Sequence, residues 1–424
     1  MDMTLFPAGV CGQIDIPGSK SQTIRALLIA LFARGVSRLH NPLLSKDTES
    51  CLQLCKQLGA KVSWETSADG DKTLVVDSTN LIKDGALSLD CNNSGTTLYL
   101  ASAMSCALGI RLEFRGDSQL SKRPIGPLLD SLKDLGATVY PERAQTAPFT
   151  LQGPLKGGLT SIKCMTSQYL SALLLGCPMA SEDTTIQVPL LNEKPYVNMT
   201  EAWLNKQKID FQRDDKMTVF RIRGGQHYTP FEDKINGDFS SASFFFCAAA
   251  ITGGTVTVRG LDPNDPQGDK GILKILSKMG CFVNWEGSSV TVTGPNRLSA
   301  GDFDLNDMPD ALPALAITGC FASGPVRLYN TPQARLKETD RIKVLVNNIN
   351  ALGGQAQELE DGLIAYPIDR FTATEIDGYG DHRIVMAMAL ASLKCTKSLT
   401  ILGGDAASIT FPSFFELFAR VSVH

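Results

Sequence analysis

The chain has 424 residues, 43% hydrophobic and 20% charged, a globular composition with more core than one ordinary domain holds. Its net charge of −4 speaks against general nucleic-acid binding, where a basic surface is expected. Eleven cysteines without a C-x-x-C pair, several inside apolar runs (Cys106, Cys177, Cys247, Cys320), read as free thiols of a reducing compartment. Met1 to Lys20 lacks the charged-then-apolar order of a secretory leader. The longest apolar runs, such as Ala26–Ala33 and Phe244–Ile251, are too short to span a membrane, so a cytosolic protein is expected. Scattered histidines (His40, His227, His382, His424) and the lack of HExxH or Cys/His spacing predict no metal. Gly18-Ser19-Lys20-Ser21 carries the ending of a phosphate loop without its first half.

In chain order, a polar lead-in followed by a helix of small apolar residues recurs six times, about every seventy residues. The copies begin at Ser19-Lys20-Ser21, Asn93-Ser94-Gly95-Thr96-Thr97, Thr166-Ser167-Gln168, Asp238-Phe239-Ser240-Ser241, Asp307-Met308-Pro309-Asp310 and Gly380-Asp381-His382-Arg383. Ser, Thr, Asn and Asp cap helix N-termini, whose free N–H groups and positive dipole end suit phosphate or carboxylate. Several such ends with their own Lys or Arg predict a site for a multiply charged anion.

Between these copies runs a second repeated element, an amphipathic helix closed by "LGA" or a variant and followed by a strand. Leu52–Val62, Leu128–Val139, Ile272–Val283 and Val344–Gln355 show it, with Met199–Phe211 degenerate and Phe411–Val421 truncated. Apolar residues at i, i+3, i+4 and i+7 mark the buried face, and Gly after the last of them marks the C-cap. Thr73–Val76, Thr255–Arg259 and Ser289–Thr293 alternate as strands. The unit is mixed α/β, and six units group as three plus three with a join near Asp233–Asp238.

Read singly, most lead-ins are ordinary caps and turns. Read together, Pro17-Gly18-Ser19-Lys20-Ser21 with Arg25-Ala26-Leu27-Leu28, Asn93–Thr97, Arg123-Pro124-Ile125-Gly126 and Ser167-Gln168-Tyr169-Leu170 resemble the motifs of the enolpyruvyl transferases. So do Gly237–Ala242, Pro309-Asp310, Arg335–Arg341 and Asp381-His382-Arg383, in family order from residue 17 to about 416. The resemblance implies the family fold: two domains of three βαβαββ units each, residues 20–235 forming one, residues 1–19 and 236–424 the other. It implies transfer of the enolpyruvyl group of phosphoenolpyruvate to the 5-hydroxyl of shikimate 3-phosphate, with release of phosphate and with no cofactor.

The roles it implies are specific. Asp310, Lys337 and Glu338 are the acid–base group, with Asp310 or Lys337 as base and Glu338 as the acid that protonates the methylene carbon. Lys20, Ser21, Arg25, Thr166, Ser167, Gln168, Asp310, Gln333 and Lys337 surround shikimate 3-phosphate. Lys20, Gly95, Arg123, Gln168, Glu338, Arg341 and Arg383 surround phosphoenolpyruvate. No nucleic acid or membrane partner is implied, and a monomer is expected.

Three positions depart from the pattern. Tyr99 stands where many members have Arg, Ile409 where most have Lys, and Glu193 where Ser is frequent before Lys-Pro-Tyr. Loss of a charge-assisted contact at Ile409 costs about 1.5–3 kcal/mol, so weakened phosphoenolpyruvate binding is expected. These departures also fit a divergent relative that binds a phosphorylated metabolite with little turnover. The branch acting on UDP-amino sugars fits less well, because Gly116–Lys122 contains none of its reactive cysteine.

Overall fold

Two kinds of helix alternate along the computed structural model, which describes residues 1–66 and 72–423 and so leaves His424 outside. In chain order they are α1 (Lys20–Phe32), α2 (Lys46–Gln57), α3 (Gly95–Ser105), α4 (Gly126–Asp134), α5 (Ser167–Gly176) and α6 (Lys194–Lys206). Then follow α7 (Phe239–Thr252), α8 (Ile272–Lys278), α9 (Leu312–Gly319), α10 (Arg341–Ala351), α11 (His382–Ser392) and α12 (Phe414–Val421). Odd-numbered helices are apolar around their circumference and buried; in α7 every residue from Phe239 to Ile251 is inside. Even-numbered helices bury one face only, as α2 does with Cys51, Leu52, Leu54 and Cys55 while Glu49, Gln53 and Lys56 face water.

The chain divides into two compact units, Gly18–Ile235 and Met1–Pro17 with Asn236–His424. In the first unit, each odd helix meets a four-stranded sheet of one pattern. Ala86–Asp90 runs parallel to Arg111–Arg115, which is antiparallel to Phe149–Gln152, itself antiparallel to Thr138–Tyr140. Gly158–Cys164, Thr184–Leu191, Val219–Ile222 and Phe211–Arg213 repeat that order. In the remaining sheet the leading strand is borrowed: Glu232–Lys234, far along the chain, runs parallel to Val36–His40. In the two sheets built from consecutive strands, the buried helix supplies the crossover that a parallel pair needs.

The second unit follows the same rule. Gly301–Asp304, Val326–Tyr329, Gly362–Ala365 and Ala356–Leu359 form one such sheet. Gly9–Asp15 is the borrowed leading strand beside Thr255–Arg259. The last repeat has lost its hairpin; Met3–Leu5 closes the sheet of Glu375–Asp377 and Leu399–Leu402 instead. The fold is thus the mixed α/β, repeat-built architecture expected from the sequence. Two amphipathic helices begin earlier than their periodicity suggests, at Lys46 and Lys194, because their first turns are polar. No helix of the described residues is long and apolar enough to cross a membrane.

Small residues let the buried helices approach closely. A Cβ placed on Gly176 in α5 would lie 2.9 Å from the backbone carbonyl of Ala103 in α3. Gly176→Ala should therefore destabilise the first unit by about 1–2 kcal/mol, because displacing two helix backbones outweighs the better helix propensity of Ala. A lowered melting temperature in thermal denaturation is the expected result.

Candidate functional site

Within the first unit the three buried helices run the same way. Tyr99 and Tyr169, in the first turns of α3 and α5, make an edge-on contact, while Ala103 and Gly176 meet near the far ends. Arg25 of α1 reaches Ser171 of α5. The C-terminal ends share a cavity lined by Phe32, Leu108 and Met179. The N-terminal ends, with their donors and dipoles, therefore gather on the opposite side.

That side is rich in cations. Arg25 is 1% exposed, and neutral oxygens hold its guanidinium: Thr200 Oγ1 at 2.9 Å, Ser21 O at 3.0 Å, Tyr196 O at 3.1 Å and Ser171 Oγ at 3.4 Å. Among the described residues no carboxylate pairs with it, and burial lowers its pKa to about 10. Lys20, the first residue of α1, lies 3.1 Å from Asp47 Oδ2. Arg123 donates to Asn93 Oδ1 at 3.2 Å. Its Nη1 would lie 2.6 Å from a Cβ on Gly95, so only glycine there leaves the guanidinium in place. Tyr99 and Tyr169 both donate to the Pro124 carbonyl, at 3.1 and 2.6 Å, and so brace the residue after Arg123. Tyr99 thus serves this loop as a buttress.

Thr166 caps α5 and Ser167 begins it. Both are bonded to Glu193, whose Oε2 accepts from Ser167 Oγ at 2.7 Å, Ser167 N at 3.0 Å and Thr166 Oγ1 at 3.2 Å. Gln168 is part-buried beside them, and among the described residues its Oε1 and the Oγ of Ser19 are buried side-chain oxygens without a hydrogen-bond partner.

In the second unit Arg341, at the start of α10, joins three segments. It is 1% exposed and contacts Asp381 Oδ2 at 2.8 Å, Asp310 Oδ1 at 2.9 Å and Glu338 Oε2 at 2.5 Å. Arg383 adds a second cation, 2.9 Å from Asp310 Oδ2. Lys337 to Arg341 do not form one helical face. Lys337 ends a 3-10 turn in extended backbone and Asp340 caps α10 before Arg341. Asp310 does not cap α9 either; it sits in a 3-10 turn over Pro309–Ala311, which frees its carboxylate for the two arginines.

Burial presses the Asp381 carboxyl upward, but the charge and hydrogen bonds of Arg341 prevail and hold it below the usual range. Arg341 is likewise held above its ordinary value, its three carboxylates outweighing its own desolvation. His382 is pushed down to about 3, chiefly by burial. Among the described residues neither of its ring nitrogens has a hydrogen-bond partner, nor do Gln333 Oε1, Thr331 Oγ1 and Ser240 Oγ. Such orphaned polar atoms each cost about 1–3 kcal/mol in a finished core and are tolerated where a ligand completes them.

All residues singled out from the sequence therefore fall near helix starts or the turns beside them, in two separate sets. Asp310, Glu338, Arg341 and Arg383 are joined directly, whereas Lys337 and Gln333 are neighbours in the same turn region. Sequence reasoning gave no role to Asp47, Asn93, Ser171, Tyr196, Thr200 and Asp381, the partners that hold the cations. Asn93 and Asp381 had a signal, each as a cap-type residue of a polar lead-in.

Because His382 is neutral in the fold but takes a proton near pH 6.5 when unfolded, stability is present above that pH and falls as the pH drops toward 3. Asp381, with a depressed pKa, adds its loss only below about pH 4. Between pH 6.5 and 5, the wild-type protein should lose roughly 2 kcal/mol more than His382→Asn in urea unfolding.

A family model for EPSP synthase (3-phosphoshikimate 1-carboxyvinyltransferase) matches residues 7–418. The chain is 44% identical to the 3-phosphoshikimate 1-carboxyvinyltransferase of Acetivibrio thermocellus over 411 residues, covering 96% of this chain and 95% of the relative. It is 38% identical to that of Yersinia pseudotuberculosis, covering 99% and 98%. The solved structure of EPSP synthase from Acinetobacter baumannii superposes with a TM-score of 0.79 at 26% identity, covering 100% of this chain and 98% of that one. With its repeat-built α/β units and cation-bearing helix starts, the chain belongs to the EPSP synthase family.

Proposed function

We propose that the chain transfers the enolpyruvyl group of phosphoenolpyruvate to the 5-hydroxyl of shikimate 3-phosphate and releases phosphate. It does so as a cytoplasmic monomer of the pathway to aromatic amino acids. The observation that carries the reading is the Arg341 cluster, in which three carboxylates and two guanidiniums meet at the starts of α10 and α11 and the turn before α9.

In this reading the 5-hydroxyl oxygen adds to C2 of phosphoenolpyruvate, and its proton passes to Asp310 or Lys337. Glu338 gives a proton to C3, making a methyl group on a tetrahedral carbon that still carries phosphate. Phosphate then leaves with the C–O bonding pair, and the methyl group returns a proton to Glu338 as the new double bond forms. Arg341 fixes the orientation of Glu338 through the 2.5 Å contact, which supports its use in both proton transfers. Lys20, Arg123, Arg341 and Arg383 serve the phosphate and carboxylate of phosphoenolpyruvate, with Gly95 and Gln168 beside it. Arg25, Lys20, Ser21, Thr166, Ser167, Gln168, Gln333 and Lys337 serve shikimate 3-phosphate. Arg25, buried and held by neutral oxygens, is suited to an incoming anion.

The purified protein should release phosphate saturably from the two substrates, and Glu338→Gln should lower kcat by about 10²–10⁴-fold. Undiminished turnover in that variant would remove Glu338 from the chemistry. No cation occupies 403–412, and Ile409 packs partly buried against the core. Ile409→Lys should therefore lower the KM for phosphoenolpyruvate by about ten- to a hundredfold, read in the same assay.

A further inference from the structure

Glu193 stands in an unusual place. It is 2% exposed, precedes α6, and holds a left-handed backbone conformation with φ of 58°, which a non-glycine residue adopts only under tertiary constraint. Its carboxylate takes the backbone N–H and the hydroxyl of Ser167 and the hydroxyl of Thr166, the donors at the head of α5. These are the donors that the proposed function assigns to the acceptor substrate. An anion from the chain itself thus satisfies a place made for an anion from outside. Tyr196, which holds Arg25 through its carbonyl, lies three residues further on, so the two sides of this wall are tied through one turn.

We propose that Glu193 is a built-in competitor for the phosphate of the acceptor, a specificity-determining residue that must be displaced from the head of α5 before that phosphate binds. The inference rests on the reading that Thr166 and Ser167 hold the acceptor. Two anions cannot share these three donors, and their mutual repulsion is strong where burial excludes water. The carboxylate raises the concentration of acceptor needed for turnover and disfavours weakly anionic look-alikes, which cannot displace it.

The test uses inorganic phosphate and shikimate 3-phosphate, titrated calorimetrically into wild type, E193Q and E193N. Asn is included because it tolerates the left-handed conformation. Both ligands should bind at least about tenfold more tightly to the variants, and Ser167→Ala added to E193Q should abolish the gain for inorganic phosphate. In the phosphate-release assay the KM for shikimate 3-phosphate should fall much more than that for phosphoenolpyruvate. Equal or weaker binding in both variants would overturn the proposal and mark Glu193 as a structural cap. If wild type never turns over while E193Q binds phosphate more tightly, the activity reading fails and the displacement stands. Turnover in wild type with unchanged phosphate binding in the variants gives the reverse.

Discussion

A single buried guanidinium organises the second unit. Arg341 has left water almost completely, a cost that three carboxylates offset only because each reaches it at hydrogen-bond distance. Asp310 comes from the turn before α9, Glu338 from the turn before α10, and Asp381 from the cap of α11. Fixing Arg341 therefore fixes the starts of three helices against one another. Removing Arg341 itself would leave the buried Asp381 carboxylate without its counter-ion, a strongly destabilising change. Buried charge is concentrated where chemistry is proposed.

The first unit solves a related problem with the opposite means. Its buried cation, Arg25, is held by hydroxyls and backbone carbonyls rather than by carboxylates, so its charge remains available to an incoming anion. Arg123 is braced by tyrosines acting through the neighbouring carbonyl and by a glycine that leaves it room. Glu193 then places a chain carboxylate on the α5 donors of the same unit. Both units depend on the same architecture: parallel strands require a crossover, the crossover helix is buried, and its start delivers polar groups to one side.

Most of the architecture was legible before any coordinates. The six small-residue helices, the amphipathic helices between them and strands such as Thr255–Arg259 and Ser289–Thr293 follow from period and cap chemistry, which act over a few residues. The same local signals located Lys20, Arg25 and Arg383 at or beside helix starts, whereas Arg123 and Arg341 came from the family resemblance. The local signals failed where a turn is 3-10 rather than helical, as at Asp310 and Lys337, because cap preference does not distinguish the two.

What the sequence by itself determined was the repeat, the helix starts and the types of group they carry. Only the tertiary structure decided which partners those groups have: that Asp381 and Asp310 hold Arg341, that Asp47 meets Lys20, and that Glu193 reaches Ser167. It also decided that Glu232–Lys234 and Gly9–Asp15 complete sheets begun far away in the chain. The reason is range. Backbone propensity and capping act between neighbours in sequence, whereas ion pairing and strand pairing depend on distances through space that only the packed chain establishes.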